Sequence, residues 1–397
     1  MSESLYLDAI ATTRISDSVR ERMMPYLDQN YGLPAGAHTM ALDARDAVEA
    51  SREECLEFIM APERSTCVFT GSGTEANNLG LLGFVRARKQ TSRVITTQIE
   101  HPSILGACDI LEQEGHEIVR LEVDKAGRLS PTAAAAVLSQ GDLLVTHLTN
   151  YDLGTRQNVI ELGRMTQKVH AMLMVDATFG AGWNEFSMQE AGADLVTWAP
   201  HRFFGPTGVG ILVARAGIHL QPLYYGGNQE HGWRPGSGSV AHMVGAGAAC
   251  QEAQKRQGGW IAAVSVHQLE FMRQLSEQLT EFQLNGAELG PDRDPHHLSF
   301  SIRGVEGEAV LLNLDLKGVQ LTSNTGCVTA ADKISPVLKA IGVEQELATG
   351  TLVAGLLPDY SSKEICRAVE LLVTAVQHVR SMSQSWHQFQ AGRSRKA

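Results

Sequence analysis

The sequence predicts an α/β protein in which a mainly parallel sheet is covered by helices on both faces. Short apolar runs recur between longer stretches of helical apolar spacing, the pattern expected when buried parallel strands alternate with crossover helices. A Gly/Ser/Thr-rich turn, residues 71–74, follows the first clear strand and opens a helix. With 397 residues, 43% of them hydrophobic and 19% charged, the chain has material for two or three domains.

The elements follow in order. Residues 14–30 and 41–60 carry helical spacing; in the second, Ala41, Ala44, Val48, Cys55 and Ile59 share one side. Ser65 to Thr70 reads as a strand, and residues 71–78 turn into a helix that runs through Val85. Val94–Thr97, Leu143–Thr146, Met172–Val175 and Leu195–Trp198 read as buried strands. Val209–Val213 follows Gly205-Pro206 too closely for a crossover helix, which predicts an antiparallel partner. A long helix is expected over 239–283, with the pattern changing near 255–262. After it come a strand at His297–Ile302, helices at Glu306–Leu314 and Ser361–Ser381, and a frayed basic tail from Gly392.

Composition excludes several classes. Thirty-three Lys and Arg against 44 Asp and Glu give a formal charge of −11, which argues against a nucleic-acid or anionic-membrane surface. No apolar run approaches the roughly 18 residues that span a bilayer. The first residues carry no basic-then-apolar signal pattern, so a cytoplasmic protein is expected. The six cysteines are dispersed and read as reduced thiols, with Cys55, Cys67, Cys108, Cys250 and Cys366 in packing positions. No metal site is expected.

Several segments occur in an order that resembles one family. They are Tyr6-Leu7-Asp8 with Ala11-Thr12-Thr13, the Gly73-Thr74-Glu75-Ala76-Asn77-Asn78 turn, Ile99-Glu100-His101-Pro102-Ser103, Val175-Asp176-Ala177 and Gly226-Gly227-Asn228-Gln229-Glu230. Gly304 to Ala309 and Pro336 to Gly342 continue the set. The chain resembles the cysteine desulfurases, within the class V aminotransferase group of fold-type-I pyridoxal-phosphate enzymes. That resemblance implies a large α/β domain with a seven-stranded mixed sheet and a small C-terminal α/β domain. The expected division is residues 1–15 packing with the small domain, 16–258 the large domain, 259–385 the small domain with the Cys327 loop, and 386–397 a flexible tail. It also implies a homodimer, and a sulfur-acceptor protein or an active desulfurase as partner.

The resemblance assigns roles to particular residues. Gly73 and Thr74 would cradle the cofactor phosphate, where the plain alternative is a capped helix. His101 would stack on the pyridine ring and move protons. Asp176, at the end of an apolar strand, would pair with the ring nitrogen and keep the cofactor electron-withdrawing. Asn150 would lie near the ring's phenolic oxygen. His201 and Ser237 would contact phosphate, Ser237 across the dimer interface. Cys327 would be the loop thiolate that takes up sulfur as a persulfide; the alternative is a small apolar loop residue.

The departures cluster where the family does its chemistry. Arg202 stands where the Schiff-base lysine belongs, and a guanidinium with a pKa above about 12 offers no free lone pair. Phe179 replaces a glutamine that contacts the ring oxygen, Ala199 a phosphate-binding serine, Val353 the arginine that clamps the substrate carboxylate, and Leu33 an asparagine. A charge-assisted hydrogen bond of about 1.5–3 kcal/mol is lost at Val353, and general acid–base help of about 10²–10⁴-fold with the lysine. Arg202 could pair with a phosphate or with Asp176; the Asp176 pairing is the one expected, with an empty or closed cofactor pocket and pyridoxal 5'-phosphate at most non-covalently held.

Three functions follow from this. The first is a non-catalytic relative that binds partners or relays persulfide sulfur in iron–sulfur metabolism. The second is an enzyme acting on another amine with non-covalent cofactor. The third is a retained desulfurase converting cysteine to alanine with sulfur passed to Cys327.

Overall fold

The computed structural model describes residues 4–88, 90–323 and 334–394. Its strands are β1 (Leu5–Tyr6), β2 (Thr66–Thr70), β3 (Arg93–Thr97), β4 (Glu117–Leu121), β5 (Leu143–His147), β6 (Met172–Asp176), β7 (Leu195–Trp198) and β8 (Gly210–Ala214), followed by β9 (Phe282–Leu284), β10 (His297–Ile302), β11 (Val319–Gln320) and β12 (Thr351–Gly355). Seven of them form one sheet in the order β2-β8-β7-β6-β5-β3-β4. All its pairings are parallel except those of β8, which runs antiparallel to both β2 and β7. The expected mixed, mostly parallel seven-stranded sheet is therefore present, with Val209–Val213 supplying its one reversed strand.

Burial explains which strands declare themselves in the sequence. β5, β7 and β8 are buried throughout, as is β6 after half-buried Met172, and they read as continuous apolar runs. β4 is the exposed edge, and its Glu-Ile-Val-Arg-Leu alternation gives no such run. A second sheet, β12-β10-β9, is antiparallel and lies after the 39-residue Val240–Gln278 helix. That helix stops five residues before the expected end, because Phe282–Leu284 turns into strand β9. The short parallel pair β1-β11 joins the N-terminal segment to the stretch just before residue 324.

Two local details differ from the sequence expectation. The helix opened at Gly73 is α-helical over Gly73–Asn78, widens to a π-turn over Leu79–Gly83 and resumes over Phe84–Ala87. Residues 386–394, expected as part of a flexible tail, belong to a helix, Gln384–Ser394. The Arg380 guanidinium lies 3.9 Å from the Trp386 ring and that of Arg303 lies 5.0 Å from Phe389, so cation–π contacts hold this helix down.

Candidate functional site

The carboxyl ends of β5, β6 and β7 bring the polar residues together. Asp176 ends β6 almost fully buried, and both of its oxygens are satisfied locally. The Thr178 N–H donates to Oδ1 at 2.9 Å and the Asn77 side-chain amide to Oδ2 at 2.8 Å. The same amide donates to the Ser103 hydroxyl at 2.9 Å, while Asn77 Oδ1 accepts from Thr197. Ser103 in turn lies 2.8 Å from His101 Nδ1.

His101 is placed by its own local sequence. It caps the Pro102–Gln113 helix, whose first position is filled by proline, and its Nδ1 accepts the Ser103 N–H at 3.2 Å. With Nδ1 an acceptor, the ring proton sits on Nε2. Burial holds the imidazole below its ordinary range; nearby Asp176 works against this and Arg202 with it. Asn77, Ser103 and Thr178 are site residues that the sequence reading did not assign. Asn77 and Ser103 lie within segments it quoted, but nothing in their spacing reveals that one amide bridges them to Asp176.

Arg202 does not meet Asp176, contrary to expectation. Its Nη1 donates to the backbone carbonyls of Ile10 and, at 2.7 Å, Ala11. The reason is packing: the guanidinium carbon lies 4.1 Å from the centroid of the Phe179 ring, which turns the fork toward the N-terminal segment. The other side of the cluster meets Phe179 too. The His101 and Phe179 rings have centroids 5.8 Å apart at 38°, and Tyr151 closes the group at 5.3 Å from His101 and 5.9 Å from Phe179. Aromatic rings in contact sit about 4.5–7 Å apart, so no further ring fits between His101 and Phe179.

The remaining expected residues divide. Gly73 belongs to the cluster: a Cβ there would lie 3.3 Å from Thr178 Oγ1 and 3.4 Å from Ala199 Cβ. Beside it Thr74 occupies the first turn of a helix whose Ser72 cap accepts the Glu75 N–H. His201 lies next to Arg202; burial first, then that positive neighbour, pulls its pKa down to about 4, and its Nδ1 has no hydrogen-bond partner among the described residues. Asn150 is committed to its own loop, donating to Ile99 O and accepting from the Asp152 and Leu153 N–H groups. Ser237 is exposed within the single chain. Val353 is fully buried and exchanges backbone hydrogen bonds with Thr322. Leu33 is an exposed loop residue. Cys327 lies outside the described residues. Four of the five described cysteines are buried and Cys366 is half-buried, consistent with packing roles.

The chain as a whole has known counterparts. The model of the family described as Aminotransferase class-V matches residues 5–367. A cysteine desulfurase IscS from Dictyoglomus turgidum is 32% identical over 394 residues, 97% of this chain and 98% of the relative. Cysteine desulfurase IscS 1 from Archaeoglobus fulgidus is 31% identical, over 95% of this chain and 98% of its own. The chain belongs to the class-V aminotransferase family. Within it the relatives are cysteine desulfurases. Among solved structures a NifS-like protein superposes with a TM-score of 0.86 at 25% identity, covering 94% of this chain and all of its own. DndA from Streptomyces lividans gives 0.73 at 28% identity, over 88% and 99%.

The family's cofactor is pyridoxal phosphate, and the residues here fit it only in part. Asp176 offers a buried carboxylate, and Thr178 Oγ1 and His201 Nδ1 are polar atoms without a partner among the described residues. A ring lying against His101, as the resemblance implies, would not fit, because Phe179 fills that place, in contact with His101 and Arg202 together. No described helix is long and apolar enough to cross a membrane.

Proposed function

We propose that this chain is a desulfurase-fold protein that does not turn over cysteine and instead relays sulfur or binds partners. The observation that carries this reading is the Phe179 ring held between His101 and the Arg202 guanidinium. A titratable amine is what an imine needs, and a permanently protonated guanidinium turned onto the Ile10 and Ala11 carbonyls offers none. Val353, buried in the sheet, supplies no cation for a substrate carboxylate.

The relay uses Cys327. Its thiolate attacks the outer sulfur of a persulfide on a donor protein, the new S–S bond forms at Cys327 and the donor thiolate leaves. One sulfur atom moves and no external oxidant or reductant is consumed. The natural partners are then an active desulfurase as donor and a sulfur-acceptor protein, with the chain as a homodimer in the cytoplasm. The test offers the purified protein a persulfidated desulfurase. Intact-mass analysis should show one added sulfur, lost in Cys327→Ser, while alanine release from free cysteine stays at background. Alanine formation dependent on pyridoxal phosphate would overturn the reading.

A second reading is favoured by the retained polar half of the site. Asp176 and the unpartnered Thr178 and His201 atoms suit a non-covalently held cofactor acting on an amine other than cysteine. It requires Phe179 to leave its present contacts. An absorbance band that appears only with pyridoxal phosphate plus a particular amine would support it over the relay.

A further inference from the structure

Residues 4–16 cross from one sheet to the other, and each end is laced by hydrogen bonds. At the smaller unit, Leu5 N–H donates to Gly318 O at 2.8 Å, Leu7 N–H to Gln320 O at 2.7 Å, and Gly355 N–H to Leu7 O at 2.7 Å. Tyr360 donates its hydroxyl proton to Tyr6 O, and Arg14 pairs with Asp359 at 2.8 Å. The segment passes so close to β12 that a Cβ on Gly355 would lie 2.4 Å from Ile10 N. At the larger unit, Thr13 N–H donates to His201 O at 2.8 Å, Phe204 N–H to Thr13 Oγ1 at 2.6 Å, and Ser16 N–H to Phe204 O at 3.0 Å.

Between these ends the carbonyls of Ile10 and Ala11 both face one donor, Arg202 Nη1. A side chain from the seven-stranded unit therefore grips the middle of the crossing segment. Its own backbone is held in turn, since Trp183 Nε1 donates to Arg202 O at 2.8 Å. Phe179 stacks under the guanidinium and fixes the direction of the fork. Charge-assisted hydrogen bonds are the stronger kind, and two converge here on carbonyls that have no helix or ladder to serve.

We propose that residues 4–16 form a strap between the two sheets and that Arg202 is its pin. The strap couples the Arg202 position to the smaller sheet along a continuous path: Arg202 to Ile10 and Ala11, through Leu7 to Gln320 and Gly355. Removing the guanidinium loosens the strap along its length and leaves the central sheet intact. This goes beyond the sulfur-relay reading and does not depend on it.

Amide hydrogen exchange of the full chain tests this. In Arg202→Ala the Leu7, Ala11, Thr13 and Gly355 amides should exchange about tenfold faster, while β5 and β6 keep native rates. Arg202→Lys, whose ammonium retains several donors, should keep the native protection. Should alanine weaken the whole chain, Arg202→Gln takes its place, and the same four amides must loosen ahead of β5 and β6. Strap amides as protected as native in Arg202→Ala or Arg202→Gln, or uniform loosening in both variants, would overturn the proposal. No cofactor or sulfur readout enters, so failure here and failure of the relay reading remain separate results.

Discussion

The two halves of the site have gone different ways. On one side, Thr197, Asn77, Asp176, Ser103 and His101 form an unbroken hydrogen-bonded chain under the sheet's carboxyl edge. On the other, Arg202, Phe179, Ala199 and Val353 stand where the resemblance to the cysteine desulfurases implies an amine, an amide, a hydroxyl and a guanidinium. The kept half is buried and mutually satisfied, so each member protects the others from a costly unpaired state. The changed half consists of apolar groups and a backbone-gripping arginine, and beside it Thr178 Oγ1 and His201 Nδ1 have no partner among the described residues.

The sharpest way to break that division is to restore the changed half. Arg202→Lys with Phe179→Gln should gain a pyridoxal-phosphate adduct trapped by borohydride, all or none by intact mass, while Arg202→Lys alone should not. An adduct in the single variant would show that Phe179 does not close the slot. In the kept half, Asn77→Leu leaves Asp176, Ser103 and Thr197 each missing a partner and should cost about 3 kcal/mol in urea unfolding. A loss below about 1 kcal/mol would mean the chain of bonds is not what stabilises this edge.

His201 gives a pH signature. Its folded pKa of about 4 lies below the ordinary 6.5, so the unfolded chain binds the proton first as pH falls. Stability is fully present above 6.5 and declines between 6.5 and 4, by up to about 1.4 kcal/mol per pH unit for one such group. His201→Gln should remove one proton's worth of that slope from the urea midpoint measured across the interval; an unchanged slope would show that His201 titrates normally. The smallest effect is expected at Phe179→Leu, which forfeits the cation–π contact with Arg202 and should cost about 1 kcal/mol.

How much of this was legible in the sequence depended on burial and on distance along the chain. The strands β5 to β8 were visible because both faces are covered, whereas edge strand β4 and the short β1, β9 and β11 carried too little apolar pattern to stand out. The site residues His101, Asp176, His201 and Arg202 were legible through their motifs. Their partners were not. Asp176 takes its hydrogen bond from Asn77, 99 residues earlier, and Arg202 reaches back 192 residues to Ile10. A guanidinium and a carboxylate in one pocket suggest a pair on charge alone, and only the position of Phe179 sends the arginine elsewhere.

Under the proposed function, position 202 and its aromatic neighbour leave no place for an imine. The most direct measurement is intact-mass spectrometry of the native protein after incubation with pyridoxal phosphate and borohydride. The unmodified mass is the predicted result. A stoichiometric phosphopyridoxyl adduct on any single side chain would contradict it.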